Sequence, residues 1–486
     1  MEKTFPAFER YGAMTDLAAL CASSATGLRK SMRVNTLKTS VEEFLAYAAK
    51  RGWETKPVPW CSEGFYIDRE DRSIPLGKDV SHIIGATYMQ EAASMLPPML
   101  LDPQPGEAIL DMAAAPGSKS TQIAAMMQGR GVLISNDMQE RRLWTLVTAL
   151  NRLGVINVAV TKKVGQWFAK NMTERFDRVL IDAPCTAQGT VRKDSDALTY
   201  TSDHGIGKAA KLQRELLEAA IHATKTGGRI VYSTCTLTPE ENEGVVADIL
   251  KRFEGRLEVV DPRELRDWGN WEIGTAIEDS YRVQSYLAQS HQLPITNHQL
   301  PLLRLWPQTY DTEGFFCAVL KKTAPTKDPV RVEWLRCRQE LVPRNRMRDI
   351  RVYLENRYGV DLMKDGEVLL QDKERFWVTT QDVLDFGLPV SPYTIGLPFG
   401  KEVGEAPVSI DHDLATLRGA GASRNVLDAS DDQWATLMRG EDCECDPGLN
   451  GHIVLRFRGN PVGRGKAKEG RCKNHLPRWM IQMGKD

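Results

Sequence analysis

Apolar residues in the middle of the chain fall in short continuous runs separated by amphipathic stretches. Ala108–Asp111, 131–137, Val158–Thr161, 177–182 and 229–233 each read as a strand, and the first, second and fourth end in an acid. Segments 119–127, 141–153 and 209–224 between them carry helical spacing, and Gly227-Gly228 closes the last. A late run, 315–320, reads as one more strand. Continuous apolar strands alternating with helices predict a parallel sheet covered on both faces, an α/β domain of the Rossmann-like type. Ligands in such sheets sit beyond the C-terminal ends of the strands, where the chemically interesting residues of this chain fall.

The flanks follow other patterns. Residues 31–38 read as a strand, 41–51 as a helix with Leu45, Ala48 and Ala49 on one face, and 53–60 and 64–67 as further short strands. They predict a small mixed α/β domain over 1–95. The catalytic α/β domain is expected over 96–325, with a polar, irregular insertion at about 265–300 and a Pro- and Thr-containing linker at 322–329. An intermediate domain over 326–400 and a small β-rich module over 401–486 complete the expected organisation.

With 486 residues the chain is too long for one core, so several domains are required. No apolar run is long enough to span a bilayer, and residues 1–6 lack the apolar core of a secretion signal, so a cytoplasmic protein is expected. Nine scattered cysteines show no disulfide-framework spacing and are expected to be free thiols. A net charge of -1 identifies no partner. The C-terminal stretch nevertheless concentrates Arg456, Arg458, Arg464, Lys466, Lys468, Arg471, Lys473 and Arg478, a local basic face of the kind that binds phosphates.

Three motifs carry chemistry. In Asp111-Met112-Ala113-Ala114-Ala115-Pro116-Gly117-Ser118-Lys119 a strand ends in an acid, and small residues let the backbone turn tightly before a helix. The loop has neither the phosphate-binding nor the dinucleotide glycine spacing, so it suits a nucleoside without pyrophosphate. Asp137, ending the next strand, is placed to accept from ribose hydroxyls. In Asp182-Ala183-Pro184-Cys185 an acid able to bond the edge of a cytosine precedes a thiol, and Pro184 pushes that thiol into a loop. Ser233-Thr234-Cys235-Thr236 ends the fifth strand, and Thr238 to Glu241 has the pattern of a capping box, with Pro239 at the first helical position. Two cysteines converging on strand ends fit nucleophilic catalysis at a pyrimidine. A thiolate adding to carbon 6 makes carbon 5 reactive towards an electrophilic methyl group.

With these motifs the chain resembles the RNA cytosine-5 methyltransferases, in particular their bacterial branch acting on 16S ribosomal RNA. The family pattern D-x-[CA]-A-A-P-G-G-K corresponds to Asp111–Lys119, D-A-P-C to Asp182–Cys185, and T-C-[ST] to Thr234-Cys235-Thr236. An upstream R-x-N-x-L-K lies at Arg33 to Lys38, and Gln90 to Pro97 is similar to the segment preceding the catalytic domain. The resemblance implies a Rossmann-like S-adenosylmethionine-dependent domain, an N-terminal RNA-binding domain and a C-terminal PUA-like RNA-binding module. It implies S-adenosyl-L-methionine held by Ala113, Ala114, Ala115, Pro116, Gly117, Ser118, Lys119 and Asp137, with Asp182 at the cofactor or the base. Cys235 would attack carbon 6 and Cys185 would assist release. The implied substrate is the cytosine conventionally numbered 1407 of 16S rRNA, within the 30S subunit. The chain departs from the family pattern at Ala113, Ser118, Val164, Gln308 and Glu313.

Alternatives remain at this point. Cys185 could be the attacking thiol, as in the related DNA enzymes, or the fold could serve a non-catalytic RNA-binding assembly factor. A zinc site from Cys443, Cys445, Cys472 and His475 lacks the usual C-x-x-C pairing, so no metal is expected. None of the eight histidines lies in a catalytic motif. Asp-Ala-Pro-Cys also disfavours a nitrogen methyltransferase.

Overall fold

The computed structural model describes residues 5–200, 202–269, 271–290, 299–329, 338–404 and 406–481. Residues 1–4 of the N-terminal segment and 291–298 of the expected insertion lie outside the described residues.

The central sheet is assembled from β1 (Ala108–Asp111), β2 (Val132–Asn136), β3 (Val158–Thr161), β4 (Phe176–Asp182), β5 (Thr224–Thr234), β6 (Leu257–Val259), β7 (Leu303–Leu305), β8 (Phe315–Lys322) and β9 (Thr394–Ile395). Its order is β6-β8-β5-β4-β1-β2-β3-β9, with β7 also paired to β8. Strands β3, β2, β1, β4 and β5 run parallel, while β8 lies antiparallel on β5. Helices α1 (Ser118–Met126), α2 (Glu140–Leu153), α3 (Asp203–Ala223), α4 (Glu243–Arg252) and α5 (Ile273–Ser290) connect or cover these strands. One apolar layer puts Leu143, Leu146 and Leu150 of α2 against Ile109 and Leu133. The opposite layer puts Leu217, Ala220 and Ile221 of α3 with Leu110, Val179 and Ile230. Both faces of the sheet are therefore buried, which is why its strands read as continuous apolar runs. This is the Rossmann-like arrangement expected from the sequence.

Three expectations are corrected. The segment read as an irregular insertion contains α5, which buries Ala276, Ile277, Val283 and Leu287 at helical spacing. Gly227-Gly228 does not close a helix: α3 ends at Ala223, and both glycines lie within β5, where a Cβ on Gly228 would come 2.6 Å from the Asp177 carbonyl oxygen. In the helix Val41–Lys50 the buried residues are Phe44 and Ala48; Leu45 is partly covered and Ala49 is exposed.

The N-terminal region forms an antiparallel sheet of Trp53–Val58, Cys61–Arg69, Ser31–Val34 and Thr87–Met89, in that order. It is welded to the catalytic sheet by Arg33-Val34-Asn35-Thr36-Leu37-Lys38. Buried Arg33 donates through Nε to Gln90 Oε1 (2.9 Å) and through Nη2 to Thr121 Oγ1 of α1 (2.9 Å). Asn35 Nδ2 donates to the carbonyls of Gly85 (2.7 Å) and of Leu153 at the end of α2 (2.9 Å). Lys38 Nζ donates to the carbonyls of Ile84 and Arg152, both at 2.8 Å. Each of these contacts satisfies a buried polar group that would otherwise destabilise the junction.

Towards the C-terminus, Glu340–Leu341, Glu367–Asp372, Arg375–Thr380, Leu397–Val403 and Ala406–Ile410 make a second antiparallel sheet. Val426–Ala429, Gly451–Phe457, Asn460–Lys468, Arg471–Asn474 and Cys443–Glu444 make a third sheet, antiparallel except that Val426–Ala429 runs parallel to Gly451–Phe457. Among the described residues no helix is long and apolar enough to cross a membrane.

Candidate active site

The chemically distinctive residues gather where β1, β2, β4 and β5 end. Strands β4 and β5 run parallel with Asp182 in register with Ser233, so the two following loops leave the sheet side by side. Each loop carries a cysteine, and Cys185 Sγ and Cys235 Sγ are 3.3 Å apart. The cleft beside Cys185, about 770 Å³, is walled by Thr186, Ala187, Lys208 and Leu212.

The sequence reading took Thr238 to Glu241 for a helix cap, but the structure uses them differently. Helix α4 begins only at Glu243, and its N-cap Asn242 makes no capping bond with its side chain. Glu241 is fully buried and reaches across to the other cysteine loop. Its carboxylate accepts from Thr186 N (3.0 Å), Gln213 Nε2 (2.8 Å), Thr238 Oγ1 (2.6 Å) and the Thr186 hydroxyl. Gln213 also donates to the Pro184 carbonyl at 2.9 Å. Gly189 completes the seam: its N–H donates to the Cys235 carbonyl (3.0 Å), and its own carbonyl accepts from Gly314 N (2.9 Å). A Cβ there would lie 2.2 Å from the Gly314 oxygen and 2.7 Å from the Cys235 oxygen, so only glycine fits.

Asp182 is held from both sides. Lys119 Nζ donates to Oδ2 at 2.6 Å and Ser233 Oγ to Oδ1 at 2.9 Å, while about 30% of the aspartate side chain stays exposed. Burial opposes the Lys119 charge, but the charge and hydrogen bond of Asp182, together with the nearby Asp111 carboxyl, hold the ammonium above its ordinary pKa. Lys119 also donates to Ser94 Oγ at 2.9 Å. The Cys185 thiol is pushed well above its usual range, first by its hydrogen bond with Cys235 and then by burial. It is therefore protonated at neutral pH.

Ala113 to Ser118 form the turn from β1 into α1, with a cis bond at Ala115–Pro116. Asn136 fastens this turn to its neighbours: Nδ2 donates to the carbonyls of Met112 (3.0 Å) and Lys163 (2.9 Å), and Oδ1 accepts from Thr161 Oγ1 and Lys163 N, both at 2.9 Å. Gly117 (φ 110°) faces α2, where a Cβ would meet Leu146 Cδ1 at 3.1 Å and Ala149 Cβ at 3.2 Å. Asp111 Oδ2 accepts from Ser120 Oγ at 2.6 Å, whereas buried Oδ1 has no hydrogen-bond partner. Burial raises the Asp111 pKa to about 7. Asp137 is buried, with Oδ1 accepting from Gln139 N (2.9 Å); Oδ2 has an ion-pair neighbour, Arg142 Nη1 at 3.2 Å, but no hydrogen-bond donor. Val164 is half exposed beyond β3.

The structure thus brings Cys235, Cys185, Asp182 and Lys119 into one cluster, with the Ala113–Ser118 turn and Asp137 along the neighbouring strand ends. The sequence names Ser233 and Ser94 only within motifs, gives Glu241 only a capping role, and assigns Asn136 no role at all. The parallel register of β4 and β5 would have pointed to Ser233, whereas nothing local marks Glu241 as buried. Glu313 is also buried, its N–H donating to Glu91 Oε1 at 3.2 Å; burial and the Glu313 carboxylate raise Glu91 to about 8. Gln308 donates to Thr15 Oγ1 at 2.8 Å. Among the described residues no group of three or more His, Cys, Asp or Glu side chains could hold a metal ion.

Residues 98–321 match the family model described as 16S rRNA methyltransferase RsmB/F. Residues 9–92 match the N-terminal domain of 16S rRNA methyltransferase RsmF, and 424–482 its PUA domain. The ribosomal RNA small subunit methyltransferase F of Vibrio atlanticus (strain LGP32) is 34% identical over 478 residues, covering 96% of this chain and 94% of the relative. That of Psychromonas ingrahamii is 33% identical, with 96% and 93% covered. Among solved structures, a methyltransferase homologue from Pyrococcus horikoshii aligns with a TM-score of 0.54 at 33% identity, over 65% of this chain and 93% of the other. NSun6 from Pyrococcus horikoshii, solved with SFG, shares the fold at 23% identity and a TM-score of 0.53, over 66% and 97% of the two chains. With its N-terminal, catalytic and PUA parts all matched and whole-length relatives at a third identity, the chain belongs to the RsmF family of 16S rRNA methyltransferases.

Proposed function

We propose that this chain methylates carbon 5 of a cytosine in 16S rRNA, the one conventionally numbered 1407, within the 30S subunit, with Cys235 as nucleophile. The observation that carries the reading is the pair of thiols 3.3 Å apart beside a carboxylate anchored by Lys119 and Ser233.

The strand ends fit S-adenosyl-L-methionine. Two buried carboxylate oxygens, Asp111 Oδ1 and Asp137 Oδ2, lack hydrogen-bond donors there. Ribose hydroxyls and a cationic sulfonium suit such acceptors, and a pyrophosphate would be repelled. Ala113–Lys119 and Asp137 would hold the cofactor, which supplies an electrophilic methyl group. Val164 offers the adenine an apolar side where the family carries an acid.

The residues of the chain do the rest. The two thiols lie within hydrogen-bond distance of each other, so Cys185 can exchange a proton with Cys235, the attacking nucleophile. Its sulfur adds to carbon 6, and the ring electrons shift to carbon 5, the position that takes the methyl group. Asp182 bonds the N3 edge of the base and stabilises the proton carried there. The carbon 5 proton passes to water in the open cleft. The electron pair it leaves re-forms the ring double bond and expels the Cys235 sulfur as thiolate, and Cys185 stands within hydrogen-bond reach of that sulfur. The resemblance of Thr234-Cys235-Thr236 to the family's T-C-[ST] motif supports attack by Cys235, and the short Sγ–Sγ distance supports a role for Cys185 in release.

The test is transfer of labelled methyl from S-adenosylmethionine to 30S subunits from a strain lacking the gene. Wild type is expected to label one cytosine, Cys235→Ala none, and Cys185→Ala to accumulate a protein–RNA adduct. Undiminished labelling by Cys235→Ala would refute the assignment. Naked 16S rRNA methylated as fast as 30S subunits would refute the assembled-subunit part.

A further inference from the structure

The N-terminal region and the C-terminal module enclose a second cleft, separate from the cysteine loops. Its volume is about 730 Å³, within the range that holds a nucleotide-sized ligand. Tyr47, Arg51 and Lys78 line one wall, and Trp434, Phe457 and Arg458 the other. The walls are fixed relative to each other. Ile83 and Ile84 pack into the same core as Leu437, Met438 and Phe457, and Lys78 Nζ donates to the Trp479 carbonyl at 3.2 Å.

Its chemistry is that of a nucleobase platform. The Trp434 and Phe457 rings stack with centroids 4.9 Å apart and an interplanar angle of 14°. The Arg458 guanidinium lies 5.0 Å from the Phe457 centroid and is tied to Asp431 at 3.0 Å, although about 61% of its side chain stays exposed. Four basic side chains, Arg51, Lys78, Arg439 and Arg458, line the cleft against two acids, Asp79 and Asp431. Asp79 is buried and neutralised within the wall by Arg51 at 3.2 Å. Asn460 adds an amide able to bond a base edge. A half-buried indole with cations at the rim, on a PUA module of an rRNA methyltransferase, matches how proteins hold an unstacked base of single-stranded RNA while neutralising its phosphates.

We propose that this cleft binds an unpaired nucleotide of the rRNA substrate, its base stacked on Trp434 and its phosphates met by Lys78 and Arg458. The site gives the enzyme a second grip on the RNA, away from the methylated base. The proposal rests on the rRNA substrate of the preceding section but not on the cysteine chemistry.

Full-length protein is titrated against labelled 30S subunits over a salt series, and methyl transfer is followed separately at saturating subunits. Trp434→Ala is expected to raise Kd roughly tenfold, with Trp434→Phe restoring most of it. Lys78→Glu should weaken binding and lower the salt slope by about one. At saturation both variants should turn over at the wild-type rate, which a defect in the cysteine loops would not allow. Variants with wild-type unfolding temperature and unchanged Kd would overturn the proposal, as would equal weakening by Trp434→Ala and Trp434→Phe. A wild type that binds 30S subunits through this cleft yet transfers no methyl would refute the cytosine chemistry and leave the cleft standing.

Discussion

Replacing Glu241 with alanine should loosen both cysteine loops at once. The carboxylate accepts four hydrogen bonds in a fully buried position. Two of its donors have other partners: the Thr186 and Thr238 hydroxyls each lie within bonding distance of Thr236 Oγ1, at 3.0 and 3.2 Å. The other two, Thr186 N–H and one Gln213 N–H, would be stranded. At about 1–3 kcal/mol for each unsatisfied buried donor the local cost is about 2–6 kcal/mol. Even the lower figure should accelerate amide exchange in the two loops by roughly 30-fold, since 1.4 kcal/mol is a factor of ten. Hydrogen exchange read by mass spectrometry over 183–190 and 235–242 measures it, with 132–136 of β2 as internal control. Methyl transfer should fall in parallel as the two thiols lose their spacing. Loop exchange within threefold of wild type, with the control unchanged, would show that the carboxylate does not hold the loops together.

Other consequences can be checked directly. In Cys235→Ala, Cys185 loses the largest cause of its raised pKa, so the pH midpoint of its alkylation should move down while burial keeps it above an ordinary thiol; an unmoved midpoint would contradict the hydrogen bond. Gly189→Ala should abolish transfer, because its Cβ would collide with the Gly314 and Cys235 carbonyls, and a fully active variant would disprove that contact. Asn35→Ala strands the carbonyls of Gly85 and Leu153 at a cost of about 2–6 kcal/mol for the two. It should speed limited proteolysis between the N-terminal and catalytic regions, and unchanged cleavage would count against the weld. Asp111 has a folded pKa near 7, raised from 3.8, so its contribution to stability is fully present below about pH 4 and is lost as pH rises through 7. Asp111→Asn should flatten that part of the urea-unfolding profile; an unchanged slope between pH 4 and 7 would refute the shift.

The strand ends were legible in the sequence because their information is local. An apolar run, an acid and a small-residue turn lie within ten positions, and burial on both faces leaves no polar residue to interrupt the run. The same locality explains the errors. Thr238 to Glu241 has capping-box spacing, but the Glu241 side chain found stronger partners in a loop 55 residues earlier, which no window can see. Helix α5 was passed over because polar residues surround it, yet Ala276, Ile277, Val283 and Leu287 hold a helical period that two buried tryptophans, Trp268 and Trp271, support from outside it. Arg33, Asn35 and Lys38 could be recognised as a motif but not understood. Their partners on α1 and α2 lie about a hundred residues away, and their exchange of water for backbone carbonyls is a tertiary event.

The short strand β9 gives the fold a schedule. It covers the open edge of β3 through pairs such as Ile395 with Ala159, yet it leaves the ribosome about 230 residues later. At translation speeds of roughly 5–20 residues per second that edge stands uncovered for about 10–50 s in the growing chain. An unpaired parallel edge is a template for pairing with other chains. Genes cut short before residue 394 should therefore yield a catalytic domain with an open β3 edge and a greater tendency to aggregate than the full chain.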